Sequence, residues 1–370
     1  MENSPKVTLS QFFFLVIQTQ VGIGVLSLPF VVYEESQWDG WVSILLSGVA
    51  IHLISSLLFF LAVRFEKQTF FSFVQSIIGP IIGQMLNFFY LLYFAGVTAL
   101  VLTLYYQRMD TWLLPQTPKW VMLLLLIIPA IYLTREKLHI IARFYLFVSG
   151  LIVVIIGVLL SGYTASNPLY IFPIGQAGFT NILLGAYGAL QAMLGFELIL
   201  FIFPYIKGTK KQIYATYSAS IWFTTLLYTF TAITTYMFFS PEEIKLVPSP
   251  VLYMLKAFTS PFIDRLDLVF VSMWIVSVTT SLMTYLFLAS VSASQLFPSI
   301  KREKIVTVLG IFIYLVVVFF GPINDLSVDI VSEFIDRWSV LFFLAIPTIL
   351  LILSFLLHKP IKQKGKETAS

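Results

Sequence analysis

The feature that most constrains this chain is a succession of apolar runs of about 17 to 25 residues, repeated along nearly its whole length and separated by short polar turns. A run that long crosses a hydrocarbon core about 30 Å thick as a helix. Lipid offers no partner to a backbone N–H or C=O, so each run must satisfy its own backbone, which a helix does. We place ten spans, at 8–33, 40–63, 81–106, 120–134, 139–162, 180–204, 213–239, 265–296, 304–321 and 338–357. The fourth is short. The eighth, about 32 residues at about 1.5 Å each, is about 48 Å long and must tilt, bend or project. Amphipathic stretches near 69–79 and 249–262 are expected at the interface.

Ten helices fill the 370 residues, so 1–370 reads as a single transmembrane domain of an all-α integral membrane protein. Charged residues make up 11%, against about 25% in soluble proteins. The polar start of about eight residues leads into an apolar stretch with no small-residue cleavage site, which reads as a retained first helix. The chain has no cysteine, which excludes disulfides, thiolate nucleophiles and Cys-ligated metals. His52, His139 and His358 are far apart in sequence, so no metal site is expected. No phosphate loop or catalytic triad appears; neither an enzyme nor a cofactor is expected. The net charge of +4 does not point to nucleic acid, because the basic residues are scattered over short loops.

Those loops carry orientation. Sixteen of the 22 Lys and Arg fall on the N-terminal side of the membrane and six on the other. The bias puts both termini in the cytoplasm. Trp38, Trp41, Trp112, Trp120 and Trp338 then sit at outer helix ends, as an aromatic belt does. Of the 18 acids, 17 are assigned to loops, and Glu197 alone lies within a helix, the sixth. An acid inside the bilayer costs about 2.5 to 3.5 kcal/mol on insertion scales and usually faces the bundle interior. It has two readings: a proton-carrying or gating group, or a structural acceptor for a broken helix.

The first helix runs Gln18-Thr19-Gln20-Val21-Gly22-Ile23-Gly24, three polar residues and two glycines near the bilayer middle. Irregular backbone there must line a cavity or be buried in protein. The sixth helix carries Gly185, Gly188, Ala192 and Gly195 as a smooth stripe suited to helix packing, with Gln191 and Glu197 beside it. Five helices per half make the halves, about 8–162 and 180–357, inverted repeats. An interrupted first helix in each half points to a midplane binding site. Helix N-termini at the breaks suit a carboxylate and freed carbonyls suit an ammonium, so an amino-acid zwitterion fits.

The segment Gly-Ile-Gly-Val-Leu-Ser-Leu-Pro at 22–29 resembles the amino acid–polyamine–organocation transporters, which have the LeuT-like fold. The length, the ten helices, and Gly195-Phe196-Glu197-Leu198-Ile199 followed by Pro204-Tyr205-Ile206-Lys207 resemble more closely the B subunits of spore germinant receptors. The resemblance covers nearly the whole chain. It implies a transporter-like subunit in the spore inner membrane that binds a small nutrient germinant and works with A and C subunits. It also implies ligand contacts at Gly22, Gly24 and Leu194, with Tyr93 and Tyr285 lining the pocket; from the chain alone, either tyrosine also reads as ordinary packing. We add Gln191 as ligand-binding and Glu197 as the proton or gating group. By analogy with sodium-coupled relatives, a cation site between helix one and residues 279–281 is a further expectation. Three functions follow: a nutrient-sensing receptor subunit, a proton-coupled amino-acid transporter, or a conduit for water or ions. An apolar pocket wall favours a small neutral amino acid.

Overall fold

The computed structural model describes residues 6–240, 242–258, 264–321 and 325–357, and the described residues are almost entirely helical. The predicted first span is two helices, α1 (Leu9–Gln20) and α2 (Gly24–Ser36). The second is α3 (Gly40–Arg64), followed by the amphipathic α4 (Phe70–Ile78) and then α5 (Pro80–Trp112). The fourth is α6 (Lys119–Thr134), and the fifth is α7 (Leu138–Val148) with α8 (Gly150–Leu159). The sixth is again divided, into α9 (Gly178–Ala192) and α10 (Ile199–Ile202). Beyond it lie α11 (Lys210–Phe238), the short α12 (Pro250–Lys256), α13 (Leu266–Leu296) and α14 (Arg302–Phe320). The last span is α15 (Asp325–Val340) and α16 (Ile346–Leu357). By length and apolarity six helical stretches among the described residues qualify as membrane crossings, and up to seven if the bent sixth span counts as one. The 16-residue α6 is short, and nine Ser and Thr make α11 less apolar.

Local chemistry sets the helix starts. Thr8 caps α1 by accepting from the Gln11 N–H, while Gln11 Oε1 accepts from the Thr8 N–H at 2.9 Å; Thr209 and Gln212 repeat this reciprocal cap on α11. Pro80 opens α5, where its missing N–H costs nothing. At one end of the molecule Val7 pairs with the end of the sixth span: its N–H donates to Tyr205 O (2.9 Å) and its carbonyl accepts from Lys207 N–H (2.8 Å). The chain start and the second half are thereby joined.

Two expectations need correction. The acidic stretch from Asp325 to Asp336, read as a loop, is the helix α15; it continues into α16 through a π turn at Leu341–Ala345. Its acids leave one face apolar, and that helical period was masked by the charge. Glu197 is also not the single buried acid. Asp39 is 2% exposed and Asp267 0% exposed, like Glu197. Each is matched: Asp39 accepts from the Gly175 and Ala177 N–H groups (2.7 and 2.9 Å), and Asp267 from Arg265 (2.6 Å) and Trp112 Nε1 (3.1 Å). The expected C-terminal lysines, His358 and part of the stretch 249–262 lie outside the described residues.

The divided helices occupy the centre. α2 packs on α9 and α3, and α1 packs on α11, α7 and α13, while α13 lies along α5. The glycine stripe of α9 is a packing face: a Cβ on Gly185 would come within 2.6 Å of Ser36 Oγ, and one on Gly188 within 3.4 Å of Val31. α14 and α16 turn large apolar side chains outward, among them Phe312, Phe319, Phe355 and Leu356, which suits lipid.

Candidate functional site

The two breaks meet. In the first, Val21 is extended (φ −79°, ψ 90°) and helix resumes at Gly24. In the second, α9 ends at Ala192 and the chain bends by 53° before the turn at Phe196–Leu198. Gly195 has φ +125°, a conformation that a side chain strains, and a Cβ there would lie 2.8 Å from Thr19 Cγ2 and 3.0 Å from Gln20 N. A Cβ on Gly24 would lie 2.6 Å from Ala192 O. Gln20 Nε2 donates to Met193 O at 2.9 Å. Each break therefore seats a glycine against the other.

Ending a helix frees carbonyls at its last turn and N–H groups at the next first turn. Here side chains take up much of the freed backbone. The Gln20 carbonyl accepts from Tyr228 (3.0 Å), the Gly22 carbonyl from Trp274 Nε1 (3.0 Å), and the Gln18 carbonyl lies 3.2 Å from Thr280 Oγ1. The Phe196 carbonyl accepts from the Tyr217 hydroxyl. Glu197 Oε2 accepts from the Gly195 N–H (2.8 Å), and Glu197 Oε1 accepts from the Tyr285 hydroxyl (2.9 Å). Glu197 is fully buried and both of its oxygens are occupied.

The expected site residues are distributed as follows. Gly22, Gly24 and Leu194 lie in or beside the breaks, and a Cβ on Gly22 would sit 3.2 Å from Ser281. Tyr285 reaches the second break through Glu197. Tyr93 is buried and turned toward the last span: its hydroxyl is 2.7 Å from Ser339 Oγ, and its ring packs on Phe342 and Phe343 of the π turn. Gln191, half-buried, donates to the Asp336 carbonyl at 3.2 Å. Among residues 279–281, Thr279 donates to Ile275 O (2.7 Å) and Thr280 lies 2.9 Å from Gln18 Oε1.

Several residues central to this arrangement were not singled out from sequence. Tyr228 and Tyr145 had no distinguishing pattern, and Trp274 read as packing. Ser339 lay in what read as the start of the last span. Gln18, Thr19 and Gln20 had the one available signal, three polar residues preceding a glycine break.

A pair of interlocked broken helices inside a helical bundle defines the class: an integral membrane protein with the LeuT-type transporter fold. A solved structure, MhsT in complex with L-phenylalanine, superposes with a TM-score of 0.68, covering 95% of this chain and 90% of that one at 15% identity. The family model described as "Spore germination protein" matches residues 6–324, and the chain belongs to that family. Spore germination protein GerQB of Bacillus cereus is 26% identical over 87% of this chain and 89% of its own length. Spore germination protein YndE of Bacillus subtilis is 24% identical over 94% and 96%, and spore germination protein B2 of the same species 26% over 74% and 75%. The protein is thus a membrane protein of spore germination with a germinant-sensing or permease role.

Proposed function

We propose that this protein is the nutrient-sensing membrane subunit of a spore germinant receptor. It binds a small germinant where the two breaks cross, and occupancy biases the arrangement of the broken helices that partner A and C subunits read. The observation that carries this reading is the mutual seating of Gly24 on Ala192 and Gly195 on Thr19 and Gln20, because a ligand between such halves acts on both at once. The germinant is an amino acid: the first turn of α2 offers N–H groups to a carboxylate, and the MhsT structure of the same fold holds L-phenylalanine. Gly22, Gly24, Gln191 and Leu194 contact it, with Tyr285 and Tyr93 behind them. The ten helical segments cross the spore inner membrane as one domain of two inverted repeats, with both ends in the cytoplasm; the chain performs no catalysis.

Spores lacking the gene test this by optical-density loss against amino acids, sugars and nucleosides. Selective loss of response to one nutrient class, with uptake by growing cells unchanged, is the expected result. Normal germination with defective uptake would reassign the protein as a transporter. Burial of Glu197 beside the second break favours that second reading specifically, as a proton-coupled permease. It requires pH-driven uptake in vesicles that Glu197→Gln abolishes.

A further inference from the structure

We infer that Gln20 and Gln191 form an uncharged acceptor pair that receives the hydrogen-donating end of the ligand and selects a net-neutral molecule over a cationic one. This rests on the crossed breaks being the ligand site. Gln20 is the last residue of α1 and is 2% exposed. Its Nε2 is held by Met193 O at 2.9 Å. A carbonyl only accepts, so the amide nitrogen must face it and Oε1 must face away. That Oε1 is buried and has no hydrogen-bond partner. Gln191, two positions before Met193, repeats the arrangement: Nε2 is held by Asp336 O at 3.2 Å, and its Oε1 is buried without a partner. Both glutamines are thus oriented from outside the break, each with an acceptor left over. A buried acceptor without a donor is unfavourable, and a bound N–H or O–H relieves it.

The other acceptors nearby are occupied. The carbonyls of Gln20 and Gly22 already receive Tyr228 and Trp274, and Glu197 already receives the Gly195 N–H and Tyr285. A ligand donor is therefore left to the two amide oxygens, which carry no formal charge. They hold an ammonium whose charge is balanced by its own carboxylate, and they do not compensate a cation that lacks one.

The test measures binding of L-alanine and of L-alaninamide, its cationic analogue without the carboxylate, to the purified full-length protein in lipid nanodiscs. Wild type is expected to prefer L-alanine. Gln20→Glu keeps an acceptor and adds a negative charge, so the affinity ratio should move roughly tenfold or more toward L-alaninamide. Gln191→Glu should move it the same way and serves if the first variant does not fold. A folded variant that keeps the wild-type ratio would overturn the inference while leaving the site in place. Failure of wild type to bind L-alanine or any other amino acid would overturn the site reading and this inference with it.

Discussion

At the residue scale, the acid in the sixth span and the glycine before it are one device. The Glu197 carboxylate satisfies a backbone N–H that the break releases and fixes the Tyr285 hydroxyl. Glu197→Ala would leave both donors buried and unpaired, at about 1–3 kcal/mol each, and should lower the thermal midpoint of the detergent-purified protein clearly. Glu197→Gln keeps an oxygen for Gly195 and offers an N–H to the Tyr285 oxygen, so its loss should be much smaller. Equal destabilisation by the two would argue against the pairing described. Gly195→Ala meets both a left-handed backbone and a Cβ approach of 2.8 Å to Thr19, so a loss of about 1–3 kcal/mol or more is expected, read as lower yield and midpoint.

Elements show how the site is held. α13 supplies Trp274, Thr280 and Tyr285 from one long helix, and so spans the first break, the α1 carbonyls and the second break. The π turn between α15 and α16 brings Phe342 against Tyr90 and Tyr93, with its carbonyl accepting from Tyr90 at 2.8 Å. Arg302, near the start of α14, closes the end of α6. Its guanidinium donates to the carbonyls of Thr134 (2.8 Å), Arg135 (2.9 Å) and Glu136 (2.6 Å), and it sits 5.2 Å from the Phe287 ring centroid. Lysine cannot reproduce that fork. Arg302→Lys should cost about 1.5–3 kcal/mol in unfolding measurements while ligand affinity stays unchanged, because no element of the breaks is touched. A changed affinity would place α14 in the ligand response.

For the whole molecule, the proposed orientation is directly testable because the chain contains no cysteine. Thr164→Cys and Lys211→Cys both place a thiol at an exposed position, between α8 and α9 and at the start of α11. An impermeant maleimide applied to intact cells expressing each variant should label Thr164→Cys alone, and Lys211→Cys only after lysis. The reverse pattern would invert the topology.

Much of this architecture was legible in the sequence, since hydrocarbon imposes one length and one backbone solution on each span. The two interruptions were legible too, because glycines amid polar residues have no other place inside a lipid-facing helix. The acidic start of the last span was not, since its charges resemble a loop until one face packs against α5. Sequence thus determined the helices, the breaks and the candidacy of Glu197. Only the tertiary structure decided that Glu197 is committed to Tyr285 and Gly195, and that Gln20 and Gln191 retain open acceptors. Hydrogen-bond partners separated by up to hundreds of residues are chosen by packing, and no local periodicity encodes them.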